Sequence, residues 1–202
     1  MKKMVFVIDM INGFCKEGAL ADPNIMGIVP ELHDFLEKYD GIKVQVRDCH
    51  ENNSLEFYEF PPHCVVDTKE CEVIDELKDV LTDAVDFPKN STCALFAPGM
   101  MEYLEKEKPN EIVVTGCCTD ICVLNFVTAL KNFFNQNDIN CNIIVYKELV
   151  DTYNAPNHNK NVFNAMAFTL MEQSGAKVQD YVNEKIFVKE WLRWTKEKKM
   201  LY

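Results

Sequence analysis

The chain has 202 residues, of which 48% are apolar and 26% are charged, as is ordinary for one globular domain with a sizeable core. Its formal net charge of −11 disfavours nucleic acids and anionic membranes as partners. No apolar run reaches transmembrane length, and the first one is too short for a signal peptide because it ends at Asp9. The nine cysteines include no C-x-x-C pair, so we expect reduced thiols in a cytoplasmic protein.

Strands and helices are predicted to alternate along the chain. The predicted strands are Val5–Ile8, Ile42–Arg47, Ala84–Phe87, 111–115, Cys141–Tyr146 and Ala176–Val182. The predicted helices are Met26–Tyr39, Cys71–Leu81, Met100–Lys106, one that begins near Asp120, and Pro156–Ser174. This alternation predicts an α/β protein with three layers, in which helices cover both faces of a doubly wound, mainly parallel sheet.

The end of the chain differs in composition from the rest. Residues 1–182 are predicted to form one domain, whereas residues 183–202 combine many lysines with apolar residues that include Trp191 and Trp194. This composition predicts a basic amphipathic helix that packs on the domain or on a second subunit. We also expect a homo-oligomer.

The stretch 111–130 predicts a strand, a tight turn and a helix. The apolar residues 112–114 indicate a buried parallel strand, which Gly116 ends. Thr119 and Asp120 offer N-cap chemistry, and apolar residues recur at helical spacing after them.

Cys122 is therefore expected in the first turn of a helix. Unpaired backbone N–H groups and the helix dipole would favour its thiolate there. The backbone N–H groups of Cys118 and Cys122 could also converge on a developing oxyanion. The alternative is that Cys122 is a small buried hydrophobic residue, which is the commoner case for any one cysteine.

Three residues of complementary chemistry stand at or near the ends of predicted strands. Asp9, Lys89 and Cys122 would meet at the carboxyl edge of a parallel sheet, where open α/β sheets bind ligands. Together they offer a base, a cation and a nucleophile. Taken separately, each has a simpler explanation: Asp9 as a turn residue, Lys89 as a solvated surface charge and Cys122 as core filling.

A second group of residues has the chemistry of metal ligands. Asp48, His50 and His63 offer oxygen and imidazole ligands in one loop region, a mixture that suits a borderline divalent ion. Glu56 lies between them and could add a ligand. The alternative is a merely polar loop. The remaining histidines are predicted to be structural: His33 and His158.

These motifs occur together and in a fixed order. They are Asp9 with Asn12-Gly13-Phe14, Asp48-x-His50, Pro61-Pro62-His63-Cys64, Lys89-Asn90, and Gly116-x-x-Thr119-Asp120-x-Cys122-Val123. Their combination resembles that of the isochorismatase-like cysteine hydrolase superfamily, and within it the nicotinamidases, over about residues 4–180.

The resemblance implies a catalytic triad of Asp9, Lys89 and Cys122. It also implies a non-proline cis peptide bond between Cys117 and Cys118, directly before the turn that carries Cys122. The backbone N–H groups of Cys118 and Cys122 would then form the oxyanion site.

The resemblance further implies one divalent metal ion. Its ligands would be Asp48, His50 and His63, and some members add a glutamate at the position of Glu56. Zinc is the expected ion, with iron or manganese as alternatives.

The substrate implied by the resemblance is nicotinamide. Its ring would lie between Phe14 and Phe60, and its pyridine nitrogen would bind the metal. Hydrolysis to nicotinate and ammonia would pass through a thioester on Cys122.

Some positions depart from the pattern of the family and leave alternatives open. Gly13 stands where many members have aspartate, and Phe60 stands where tryptophan is common. One alternative is a metal-independent relative that acts on another small amide or a carbamoyl compound. Others are a catalytically idle binding protein and a metallohydrolase whose nucleophile is metal-bound hydroxide.

Overall fold

A parallel sheet of six strands forms the centre of the protein. The computed structural model describes residues 1–181, so the helix predicted at 183–202 lies outside the described residues. The strands are β1 (Lys3–Ile8), β2 (Ile42–Asp48), β3 (Val85–Lys89), β4 (Glu111–Gly116), β5 (Asn142–Val150) and β6 (Lys177–Gln179). Their spatial order is β3-β2-β1-β4-β5-β6, and each neighbouring pair is parallel. The chain thus builds outward from β1 in one direction and then in the other, which makes the sheet doubly wound.

Helices cover both faces of this sheet. They are α1 (Asn12–Cys15), α2 (Val29–Lys38), α3 (Asp75–Lys78), α4 (Met100–Glu107), α5 (Leu124–Gln136) and α6 (Lys160–Gln173). Helix α2 contributes Leu32 and Leu36 to one apolar cluster, whereas α4, α5 and α6 contribute Leu104, Phe126 and Met171 to the other. The predicted three-layer α/β architecture is therefore confirmed. Within residues 1–181, none of the helices has the length and apolar character needed to cross a membrane.

Strand β1 shows how one segment serves both halves of the core. Met4, Phe6 and Ile8 belong to the cluster beneath α5, and Val5 and Val7 belong to the cluster beneath α2. All five side chains are at most 2% exposed, so burial of each stabilises the fold by about 1.5–3 kcal/mol. A strand buried on both faces is rigid, and it fixes the position of the residue that follows it.

Two predicted helices differ from the observed ones. The segment Cys71–Leu81 contains only the short helix α3, because Val73 forms an isolated bridge with Ile11 that keeps the preceding residues extended. Helix α6 begins after Asn159 rather than at Pro156, because the Asn159 side chain accepts hydrogen bonds from two backbone N–H groups of the first turn.

The carboxyl ends of four neighbouring strands meet at one edge of the sheet. Asp48 is paired with Lys89 across β2 and β3, and Ile8 is paired with Gly116 across β1 and β4. Asp9 follows Ile8 directly. Gly116 has a φ of 103°, and a Cβ atom there would lie 2.0 Å from the carbonyl oxygen of Ile8. Only glycine allows β1 and β4 to approach this closely.

Candidate active site

A buried lysine lies between two buried carboxylates at this edge. The Nζ atom of Lys89 is 2.9 Å from Oδ2 of Asp9 and also contacts Oδ1 of Asp48. All three residues are at most 1% exposed, so the alternative that Lys89 is a solvated surface charge is wrong. Because an isolated buried charge is strongly unfavourable, each of the three groups depends on the others for its ionised state.

Asp9 is held in a conformation that few residues adopt. Its φ is 53°, in the left-handed region, and its Oδ1 accepts a hydrogen bond of 2.9 Å from the backbone N–H of Asp48. Burial raises the pKa of Asp9 to about 6; Lys89 opposes this shift and Asp48 adds to it. Asp9 is therefore mostly ionised at neutral pH and yet basic enough to accept a proton.

Cys122 lies in a π-helical turn (Thr119–Val123) that precedes α5, and not in the first turn of an α-helix. Its Sγ atom is 3.8 Å from Nζ of Lys89 and within 4.8 Å of one carboxylate oxygen each of Asp9 and Asp48. Burial raises the pKa of the Cys122 thiol well above its usual value; Lys89 opposes this effect, but the two carboxylates add to it. The prediction of a favoured thiolate is therefore wrong. The thiol keeps its proton, with Asp9 as a neighbouring acceptor.

Thr119 and Asp120 do not cap the helix as predicted. The carboxylate of Asp120 instead accepts hydrogen bonds from the Thr152 hydroxyl and from Nε2 of His158. The Thr119 hydroxyl has no hydrogen-bond partner among residues 1–181, while its backbone N–H donates to the carbonyl of Asp151 at 3.1 Å. The π-turn (Thr119–Val123), which is the nucleophile turn because it carries Cys122, is thus attached to the segment that follows β5.

The peptide bond between Cys117 and Cys118 is cis, as the resemblance implies. The carbonyl of Cys118 accepts the N–H groups of Ile121 and Val123, each at 3.1 Å, which curls the turn around the intervening Cys122. Within the described part of the chain, the backbone N–H of Cys118 makes no hydrogen bond. It is therefore free to donate to an anion in the pocket.

The predicted metal ligands lie together beside the charge cluster. Asp48, His50, Glu56 and His63 each place one potential ligand atom within 4.8 Å of the others. The Nε2 atoms of His50 and His63 are 3.5 and 3.8 Å from Oδ2 of Asp48. This set of one imidazole pair and two carboxylates has the composition of a divalent metal site.

Hydrogen bonds behind the two imidazole rings orient them towards this cluster. Nδ1 of His50 lies 2.9 Å from Oδ1 of Asn90, and Nδ1 of His63 lies 2.8 Å from the carbonyl of Pro61. Both partners are acceptors, so each Nδ1 can donate a hydrogen, and a metal in the cluster would take the lone pair of each Nε2. The buried Nε2 of His50 has no hydrogen-bond partner within residues 1–181. A buried nitrogen in this state fits a metal ligand.

The carboxylates of the cluster differ in their ionisation. Burial alone would raise the pKa of Asp48, but Lys89, His50 and His63 outweigh burial and hold it well below its usual value. Burial raises the pKa of the half-buried Glu56, and the nearby Asp48 adds to this effect. Asp48 is therefore the firmly ionised carboxylate of the cluster.

One pocket joins the cysteine turn to the ligand cluster. It is lined by Phe14, Leu20, Asp48, Glu56, Phe60, His63, Thr92, Cys118, Ile121 and Cys122. The cavity volume is about 40 Å³, well below the ~300–1,000 Å³ of typical small-molecule sites. The rings of Phe14 and Phe60 have centroids 5.7 and 6.2 Å from that of His63. The pocket thus suits a small ligand with an aromatic ring.

The departure at Gly13 has a local cause. A Cβ atom at Gly13 would lie 2.5 Å from Sγ of Cys64, so no larger residue fits without movement of Cys64. The position of Cys64 is fixed in turn, because its backbone N–H donates to the carboxylate of Glu70 at 2.7 Å.

Some residues of the site were not predicted from the sequence. Asn90 and Ser54 support His50, since the Ser54 hydroxyl donates to the same Asn90 oxygen at 3.1 Å. Asn90 follows Lys89 directly, so its position beside the site was available as a signal. His158 was predicted to be structural. Its Nε2 contacts the carboxylate of Asp120, which lies in the nucleophile turn 38 residues earlier in the chain.

Comparison with known proteins places the chain in a family. The isochorismatase domain profile matches residues 3–181. Nicotinamidase 1 of Arabidopsis thaliana is 25% identical over 171 residues, which cover 75% of this chain and 70% of that protein. The structure of a nicotinamidase/pyrazinamidase from Bacillus subtilis is 25% identical, with a TM-score of 0.72 and coverage of 89% of this chain and 100% of that chain. A pyrazinamidase of Pyrococcus horikoshii in complex with zinc is 21% identical, with a TM-score of 0.73 and coverage of 90% and 100%. Because the family profile spans nearly all of the described residues, the chain belongs to the isochorismatase family.

Proposed function

We propose that this chain is a nicotinamidase, which hydrolyses nicotinamide to nicotinate and ammonia. The broader activity, amide hydrolysis, follows from the family and from the nicotinamidase relative. The observation that supports the finer assignment is that one pocket is lined both by Cys122 and by the ligand cluster residues Asp48, Glu56 and His63. Nicotinamide carries matching groups: a carboxamide for the cysteine and a pyridine nitrogen for the cluster.

Asp9 and Cys122 have the proposed roles of general base and nucleophile. Because the thiol is protonated and Asp9 is ionised at neutral pH, the carboxylate takes the thiol proton as Sγ attacks the carboxamide carbon. Lys89 remains charged throughout, and its contacts with both carboxylates keep Asp9 in its ionised form.

The remaining steps use the same groups in reverse. The backbone N–H groups of Cys118 and Cys122 would bind the oxyanion. Asp9 then returns the proton to the amide nitrogen, which leaves as ammonia and leaves a thioester on Cys122. Water that gives a proton to Asp9 attacks the thioester, which releases nicotinate and regenerates the thiol.

A divalent ion is part of the proposal. Asp48, His50, His63 and Glu56 would hold it, and zinc fits this ligand mixture, as iron or manganese would. The ion would supply a Lewis acid for the ring nitrogen of the substrate. The zinc-bound pyrazinamidase from Pyrococcus horikoshii supports this assignment.

Two aromatic side chains would orient the ring. Phe14 and Phe60 line the pocket beside His63, and aromatic pairs gain about 0.5–1.5 kcal/mol beyond the burial of their area. A ring held between them would present its carboxamide to Cys122 in one orientation.

Ammonia release from a panel of small amides tests the proposal. The panel is nicotinamide, pyrazinamide, benzamide and N-carbamoylsarcosine, with the Cys122→Ala variant as the control for contaminating activity. Nicotinamide should give the highest kcat/KM. A higher value for the carbamoyl compound would favour the metal-independent alternative, and no turnover of any amide would favour an idle binding protein.

A further inference from the structure

His158 is buried between two aromatic rings near the nucleophile turn. It is 7% exposed. Its ring is nearly parallel to that of Tyr153, with centroids 3.8 Å apart and an angle of 9°, and it stacks on Phe163 of α6 at 3.7 Å and 25°. Two stacked neighbours hold the plane of the imidazole in one orientation.

Both ring nitrogens of His158 face hydrogen-bond acceptors. Nδ1 lies 2.9 Å from the carbonyl oxygen of Tyr153, and Nε2 lies 2.7 Å from Oδ2 of Asp120. Nε2 can donate a hydrogen to the carboxylate of Asp120, and the contact from Nδ1 to the Tyr153 carbonyl fixes the other side of the ring.

The two partners of His158 belong to two segments beside the substrate pocket. Asp120 lies in the π-turn, whose neighbouring residues Ile121 and Cys122 line the pocket. Tyr153 lies in the segment after β5 and lines the outer cavity that Cys118 also borders. His158 therefore ties the nucleophile turn to the segment at the rim of the pocket.

The same turn is attached to the segment after β5 at two further points. Oδ1 of Asp120 accepts the Thr152 hydroxyl, and the Thr119 N–H donates to the carbonyl of Asp151. These contacts fix where the turn lies, whereas the contact of 2.7 Å from His158 fixes the direction of the Asp120 side chain. The π-turn has no side-chain cap of its own, so its orientation depends on such external contacts.

We propose that His158 is a positioning residue for the nucleophile turn, and that it acts through Asp120 to aim Cys122 and the Cys118 N–H at the substrate. This inference rests on the proposed function only for the identity of the substrate. The groups that face the ring are Asp120 from the π-turn, Tyr153 from the segment after β5 and Phe163 from α6. Loss of the contact between His158 and Asp120 would leave the pocket intact but let the nucleophile turn reorient.

Two substitutions and a matched control test the proposal. His158→Phe keeps a stacking ring without donors, and His158→Gln keeps one donor for Asp120. The control is His33→Gln, because His33 also contacts an aspartate, Asp79, at 3.1 Å but lies outside the site. We expect kcat for nicotinamide to fall about tenfold to hundredfold in His158→Phe, less in His158→Gln and not in His33→Gln, as for a small misplacement of reacting groups. KM should stay within about twofold, because the pocket walls are unchanged.

A substrate-independent measurement separates this proposal from the proposed function. The rate of alkylation of Cys122 by iodoacetamide, followed by peptide mapping, should fall in both His158 variants and stay at the wild-type value in His33→Gln. This rate can be measured even if the wild-type protein does not hydrolyse nicotinamide. Folded variants with wild-type kcat and alkylation rate, or variants in which only the melting temperature changes, would overturn the positioning role.

Discussion

Lys89 forms a buried ion pair with Asp48 through the carboxylate oxygen that does not face the two site histidines. One carboxylate therefore belongs both to the proposed triad and to the proposed metal cluster. Its ionised state depends on Lys89 and the histidines together. Changes on either side of Asp48 should consequently affect the other side.

Removal of the proposed nucleophile should abolish turnover without loss of the fold. Cys122→Ala removes one buried Sγ atom, and we expect kcat for nicotinamide to fall by about 10⁴-fold or more. Nicotinamide should still raise the melting temperature of the variant, because the ring contacts and the ligand cluster remain. Activity within tenfold of wild type would instead indicate metal-bound hydroxide as the nucleophile.

The pKa of Asp9 predicts the acid limb of the pH–rate profile. Asp9 accepts a proton only when it is ionised, so activity is present above its pKa of about 6 and is lost as the pH falls through this value. We expect kcat/KM to fall about tenfold per pH unit below about pH 6. Asp9→Asn should have no measurable turnover at any pH. An acid limb near the usual pKa of an aspartate would contradict the buried environment of Asp9.

Lys89 is expected to set both the position of this limb and the stability of the site. Lys89→Met removes the cation that opposes the raised pKa of Asp9, so the acid limb should move to higher pH. It also leaves two buried carboxylates without their partner, which should cost about 3–5 kcal/mol of unfolding free energy.

The matched control for this variant is Lys78→Met. Lys78 forms an ion pair of 2.7 Å with Asp75 on the surface, so its loss should change neither the pH–rate profile nor the unfolding curve measurably. Equal effects of the two substitutions would show that Lys89 has no special role.

The edge of the sheet where the site lies could be predicted because it depends on local pattern alone. Apolar runs that end at Asp9, Asp48 and Lys89 mark strands, and parallel strands bring their carboxyl ends to one edge. The ligand cluster was predicted for a similar reason, since Asp48 and His50 are two residues apart.

The environment of each group could not be predicted in the same way. The burial of Lys89 and the raised pKa of Cys122 follow from residues that are distant in sequence and enclose the site only after folding. The local sequence predicts that Asp120 caps the helix. Its carboxylate instead bonds with Thr152 and His158, which lie 32 and 38 residues later in the chain.

Metal removal should affect substrate binding more than the reactivity of the cysteine. After dialysis against a chelator, we expect the KM for nicotinamide to rise by at least about tenfold, because a ground-state contact is lost. Alkylation of Cys122 by iodoacetamide should continue, since the thiol and Asp9 are still present. Readdition of zinc, iron or manganese should restore the KM, and the most effective ion would identify the metal. Full activity in protein that metal analysis shows to be free of bound ions would exclude a metal-dependent site.

His63→Ala tests the same contact without chelation. His63 lines the pocket and its Nε2 faces the cluster, so its loss should raise the KM for nicotinamide by at least about tenfold while kcat changes less. Benzamide has the same ring without the nitrogen, so the wild-type protein should hydrolyse it with a kcat/KM at least about tenfold below that for nicotinamide. In His63→Ala this preference should shrink, because the group that distinguishes the two rings is weakened. The control is His33→Ala, a histidine outside the pocket whose removal should leave both values unchanged. Equal turnover of benzamide and nicotinamide by the wild-type protein would rule out the metal-anchored ring nitrogen and leave a cysteine amidase of broader specificity.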